Sequence, residues 1–359
     1  MAHSGGMETR SRRARVALAL LGLACVSMAA PAARADVDPL TGIDFVRIGA
    51  VNNPAYDGPD PFNRVLGRGS VGYEYNIGRT EVPSSLWQEF IAAAFDRPDP
   101  LPWVQRPLQV GSGNRPTGGV SWRTAAIFTN WLCNNKSTDR AAFLNGAYDV
   151  STFRTIGAPD GTPIFLDQWT HNPGARYWIP TLDEWIKAAH FDPNRNGTGQ
   201  PGWWQYDITS DVAPIYGPPV GFPNGSPTNQ ANSGFGLPGG LEFTIPLGAY
   251  ANVTSPWGLY DTAGATSEWT EEVVYFQGLG AYARDTRGSG WASGFGGDLI
   301  YGGQHGGTPD QVPYTHGLRL AFEVPSPIPV ALFGLCGIFS LSRRQRKEPR
   351  ESLRRGFVC

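Results

Sequence analysis

The sequence predicts a loop-rich domain of mixed α and β structure. Three observations carry that expectation. Glycine (46) and proline (31) are both abundant in the 359 residues, and both interrupt helices and strands. Twelve tryptophans supply apolar area that a disordered chain lacks. Short capped helix starts and one alternating strand are separated by long stretches without a period.

A chain of this length buries one large core or two ordinary ones. Lysine plus arginine (29) nearly balances aspartate plus glutamate (31). A nucleic-acid binder should show a basic surplus, so that class is excluded.

Residues 1–35 read as a secretory signal peptide. Arg10, Arg12, Arg13 and Arg15 precede an apolar run from Val16 to Cys25, and Ala33-Arg34-Ala35 offers a cleavage site before Asp36. Residues 36–323 read as one domain. Residues 324–347 combine Val324-Pro325-Ser326-Pro327, an apolar run and the cluster Arg343-Arg344-Gln345-Arg346-Lys347. That run, about 14 residues, falls short of the ~20 that span a bilayer, and the cluster would sit on the cytoplasmic side. The order resembles a PEP-CTERM sorting signal, with Ser326 where glutamate is usual. The resemblance implies an exosortase-type partner; a plain C-terminal membrane anchor is the alternative. A basic tail, 348–359, follows. Cys25, Cys336 and Cys359 lie in these end segments, so 36–323 holds Cys133 alone. One cysteine makes neither an internal disulfide nor a thiol pair.

Within the domain, Gly67-Arg68-Gly69-Ser70-Val71-Gly72 has the spacing of a dinucleotide fingerprint. Tyr73–Ile77 then alternates like a strand instead of opening a helix, so a turn before a strand is expected. Ser85 and Gln88 form a capping-box pattern for a first helix, with Leu86 and Phe90 on its inner face. Glu81, just before it, is placed either on backbone amides or in solvent. Ser121 is a natural cap for a second helix whose inward stripe is Ala125, Phe128 and Leu132. Cys133, on its last turn, reads as a small buried hydrophobe. Pro180, Thr181 and Glu184 start a third helix as a capping box, which accounts for the Asp183/Glu184 pair without catalysis. Residues 190–252 show no regular period, and such stretches are usually functional or held by something.

Ser255–Trp269, SPWGLYDTAGATSEW, sets aromatics, glycines and carboxylates side by side with no helical or strand period. Six ordered motifs, this one among them, resemble the formylglycine-generating enzyme (sulfatase-modifying factor) family. They are Glu81-Val82-Pro83, Val120-Ser121-Trp122, Tyr177–Ala189, Gln230-Ala231-Asn232-Ser233, Gly258–Trp269 with the Arg287–Trp291 turn, and Gly317-Leu318-Arg319. The resemblance implies an α+β, C-type-lectin-like fold with short sheets, few helices and much irregular backbone. It implies that Arg319 is buried and paired. It also implies calcium at two places: Asn232 with the Ser233 carbonyl, and Gly264 with Glu268, where Ala265 replaces the usual asparagine.

Active members of that family use two cysteines just after the Gly-Gly-Ser-Trp turn to bind copper and oxidise a substrate cysteine. Ser293 and Asp298 fall near those positions, and Trp291–Gly307 holds no cysteine. Soft thiolates suit Cu(I) and a serine provides none, so copper is not expected. A protein or glycan ligand on the loops is the leading expectation. An enzyme working through Ser293, Asp298 and His305 is the alternative, and a structural envelope component is a third.

Overall fold

The computed structural model describes residues 36–324 except 277–279, 294–295 and 304–305. The signal peptide, residues 325–359 and His305 lie outside the described residues. The domain is α+β, as expected.

Among the described residues there are four short α-helices: α1 (Ser84–Phe95), α2 (Trp122–Cys133), α3 (Arg140–Leu144) and α4 (Leu182–His190). The third follows Asp139, whose side chain makes no cap bond. A five-stranded antiparallel sheet has the spatial order Asp36–Val37, Asp44–Ile48, Tyr75–Gly78, Ala321–Phe322, Tyr177–Trp178. The last strand of the domain thus pairs between early ones: Ala321 opposes Ile77 on one side and Trp178 on the other. A three-stranded sheet sets Ser267–Phe276 between Ala281–Arg287, antiparallel, and His316–Gly317, parallel. A bulge between Trp269 and Val273 breaks its register. There Glu271 gives its N–H to the Pro180 carbonyl instead, at 2.9 Å.

The caps explain the helix starts, with one correction. Thr181 accepts the Glu184 N–H (3.1 Å) and the Glu184 carboxylate accepts the Thr181 N–H (2.8 Å), which is the expected box. Ser121 accepts the Thr124 N–H as expected. At α1 the Ser85–Gln88 box does not form. The Ser84 and Ser85 N–H groups bond to the Arg115 and Gly113 carbonyls of a neighbouring loop, and Gln88 reaches the Gly111 carbonyl. The loop satisfies donors that a side chain would otherwise cap.

Helix α2 is buried all round from Trp122 to Leu132, not along one stripe. Trp87 stacks on Phe128 with centroids 4.3 Å apart, and Phe90 meets both edge-on. Two indoles tie this helix region to the three-stranded sheet. Trp122 Nε1 donates to the Thr270 carbonyl (3.1 Å), and Trp269 Nε1 to the Val120 carbonyl (2.7 Å). Arg123 survives inside because Asp167 takes its guanidinium through two bonds, 2.6 and 2.8 Å. Among the described residues no helix is long and apolar enough to cross a membrane.

Candidate functional site

Three segments separated in sequence are knotted together by backbone bonds. Asn232 bridges Gly264, and the Asn232 carbonyl accepts the Ala265 N–H (2.9 Å). The Ala265 carbonyl accepts the Trp291 N–H (2.9 Å), and the Trp291 carbonyl accepts the Gly234 N–H (3.1 Å). The Ser233 hydroxyl donates to the Ser293 carbonyl at 2.7 Å, with the Gly290 carbonyl at 3.2 Å. Ser293 Oγ in turn accepts the Gly290 N–H (3.0 Å). This irregular backbone satisfies itself by cross-links between loops rather than by a ladder. Gly264 permits the approach: its φ is +89°, and a Cβ there would lie 2.6 Å from the Asn232 nitrogen.

Beside the knot lies an open groove of about 440 Å³. Phe235, Phe243, Trp291 and Tyr314 line it, with Glu242. Trp291 is its buried floor and Phe243 meets it edge-on at 4.8 Å; Tyr314 is an exposed wall. Glu242 is anchored by the Leu237 N–H (3.0 Å) and stays part-exposed. Aromatic faces beside a carboxylate suit a ligand with one apolar face and polar edges.

On the far side of the turn, Asp298 is buried. Its carboxylate accepts the Ser289 N–H and the Tyr216 hydroxyl, both at 2.8 Å. Burial raises its pKa against those two partners. Asp207 lies next to it, its N–H on the Asp298 carbonyl (3.3 Å). Burial and then the Asp298 charge push the Asp207 carboxyl well above the usual range.

A model of the sulfatase-modifying factor enzyme 1-like domain matches residues 69–324. The chain belongs to that family. Among solved structures, the sulfatase-modifying-factor-like domain is similar to CarF, with 23% identity, a TM-score of 0.48, and coverage of 79% of this chain and 98% of that one. It is also similar to the Treponema denticola variable protein 1 (18% identity, TM-score 0.45, 79% and 95% covered). PvdO from Pseudomonas aeruginosa gives 16% identity and a TM-score of 0.44, again with 79% and 95% covered. Among curated proteins nothing matches.

The sulfatase-modifying-factor-like domain separates the residues that sequence reading grouped. Asn232, Ser233, Gly264 and Ser293 meet in the knot. Asp298 faces away from it, toward Asp207 and Tyr216. Glu268 also faces elsewhere: Arg319 and the Trp185 indole take both of its oxygens. Of the four residues considered for calcium, Asn232 keeps an unspent buried side-chain oxygen, Oδ1. Its orientation is fixed, because Nδ2 donates to the Glu242 carbonyl (3.0 Å) and a flipped amide would set oxygen against oxygen. Among the described residues no three histidine, cysteine, aspartate or glutamate side chains cluster as metal ligands. The Cys133 thiol exchanges bonds with the Tyr177 main chain, and burial raises its pKa. Asp207, Glu242, Phe243 and Tyr314 are new to the site. They come from aperiodic stretches, so no sequence signal singles them out.

Proposed function

We propose that this is an exported, surface-held member of the family that binds a glycan in the Trp291 groove and does not carry out copper–thiol oxidation. The observation that carries the reading is the groove itself. It opens beside the turn after which the oxidases of the family are expected to carry their cysteines. Here that turn leads to Ser293, whose hydroxyl braces the Gly290 N–H. The space beside it is walled by aromatic rings and one carboxylate. A pyranose ring offers the matching surfaces, an apolar face for Tyr314 above the buried Trp291 and hydroxyls for Glu242. Sorting by an exosortase-type enzyme through 324–347 would hold the domain at the cell surface, where such ligands are met.

Calcium belongs to this proposal at one place. Asn232 Oδ1 and the adjacent Ser233 main chain would hold it, bracing the knot below the groove. An oxygen-only set suits calcium. Glu268 has no part in it, since its charge is spent on Arg319.

Glycan-array binding of the purified protein, wild type against Tyr314→Ala, tests the reading. Selective binding that the substitution weakens roughly tenfold supports it. Absence of binding across the array sinks it. Incubation with copper and a Cys-x-Pro-x-Arg peptide tests the second half; any formylglycine product refutes the non-oxidase claim.

A further inference from the structure

We propose that Asp207 and Asp298 together bind a hard divalent cation, with calcium as the reference ion. Asp207 is fully buried, yet neither carboxylate oxygen has a hydrogen-bond partner. An ionised carboxylate in that position is costly unless a proton or a cation neutralises it. Among the described residues no arginine or lysine bonds it. What stands beside it is a second buried acid, which deepens the deficit.

The surroundings are built rather than accidental. The Asp207 peptide is pinned at both ends: its N–H bonds the Asp298 carbonyl and its carbonyl accepts the Thr262 hydroxyl (2.9 Å). The Asp298 carboxylate is oriented by the Ser289 N–H and the Tyr216 hydroxyl. A carboxylate accepts about four hydrogen bonds, so those two leave it capacity for a metal. Such outer partners are what fix the aim of a ligating group. Ile208, Ala231 and Ala263 pack as an apolar cluster next to Asp207 and Thr262, which strengthens any charge pairing there. The donors are all oxygen. That set selects calcium, magnesium or manganese over zinc or copper. This site is separate from Asn232 and does not rest on the glycan reading.

Terbium titration of the chelator-stripped full-length protein tests it, with tyrosine excitation. Tyr216 touches Asp298, so bound terbium should luminesce and calcium should quench it by displacement. Asp207→Asn is the informative variant, because the native side chain makes no bond whose loss could unfold the protein. It should weaken terbium binding by at least about tenfold, the scale on which even outer partners act. Asn232→Ala should leave the signal in place. Unchanged terbium binding in Asp207→Asn overturns the proposal. So does a chelator-treated Asp207→Asn protein that melts higher than wild type while wild type ignores calcium, because the two acids then hold a proton and no metal.

Discussion

Arg319 and Glu268 form an ion pair in the centre of the domain, both side chains at most 1% exposed. Arg319 Nη2 lies 2.6 Å from Oε1 and Nε lies 2.9 Å from each oxygen. The same guanidinium donates to the Gly78 carbonyl (2.9 Å) and the Tyr260 carbonyl (2.9 Å). It therefore joins the five-stranded sheet, the Ser255–Trp269 stretch and the second sheet. Trp185 from α4 closes the cluster with a 2.6 Å bond to Glu268.

Removing one partner leaves a buried charge. Glu268→Ala is expected to destabilise by about 3–5 kcal/mol. Urea unfolding checks this, and chelator should leave the loss unchanged. Calcium should stabilise wild type and Glu268→Ala to the same extent; a calcium response lost in Glu268→Ala would make Glu268 a metal ligand after all.

His190 gives an acid-labile term. It is buried; burial lowers its pKa to about 3, against a bond to the Trp204 carbonyl. The unfolded chain protonates near pH 6.5. Between there and about pH 3 the unfolded state therefore binds the extra proton, and stability falls as pH falls. The slope is about 1.4 kcal/mol per pH unit from this one group. His190→Gln should flatten the pH dependence of urea midpoints across that window; an unaltered slope rejects the assignment.

His171 acts with the opposite sign. Burial would lower its pKa, but the Glu271 bond (3.0 Å) and charge outweigh burial and raise it. Its ring also stacks on Trp178 at 4.7 Å. A raised folded pKa stabilises fully below the unfolded value and is lost as pH rises through the folded one. NMR titration should place the His171 ring above its ordinary value. Glu271→Gln should bring it down, and a ring titrating at the ordinary value in wild type would sink the argument.

The groove carries a prediction of a different kind. Tyr314 is 45% exposed, so Tyr314→Ala should cost much less stability than loss of a buried ring, under about 1 kcal/mol. It should weaken glycan binding roughly tenfold, equivalent to about 1.4 kcal/mol. Trp291→Ala removes a buried ring and should cost about 3–5 kcal/mol of stability as well. Equal effects on binding and folding from Tyr314→Ala would make it a structural residue, not a ligand contact.

What the sequence disclosed follows a physical line. Thr181 with Glu184 was legible because a capping box is local, three residues from end to end. Arg319 was legible through a family motif. The Ser85–Gln88 box failed because a loop more than twenty residues away supplies the carbonyls at that helix end. Asp207 and Tyr314 were invisible because their roles depend on neighbours brought up by irregular backbone. Glu268 was legible as important but its pairing was not, since nothing local marks its partner as an arginine fifty-one residues away.

The knot offers a test in which backbone strain and steric approach separate. Gly67 and Gly264 both hold left-handed φ, +78° and +89°. A Cβ on Gly67 meets nothing within 4 Å, whereas one on Gly264 meets Asn232 N at 2.6 Å and its carbonyl carbon at 2.9 Å. Gly67→Ala should therefore cost only the strain, about 1–2 kcal/mol. Gly264→Ala bears that strain and must also push the Asn232 backbone away, adding about 1–3 kcal/mol. The displaced Asn232 would carry Ser233 and its bond to Ser293 with it. Gly264→Ala should accordingly weaken groove binding while Gly67→Ala does not. Matched urea curves and binding isotherms for the two variants decide it, and equal losses in both would mean that the close approach at Gly264 holds nothing together.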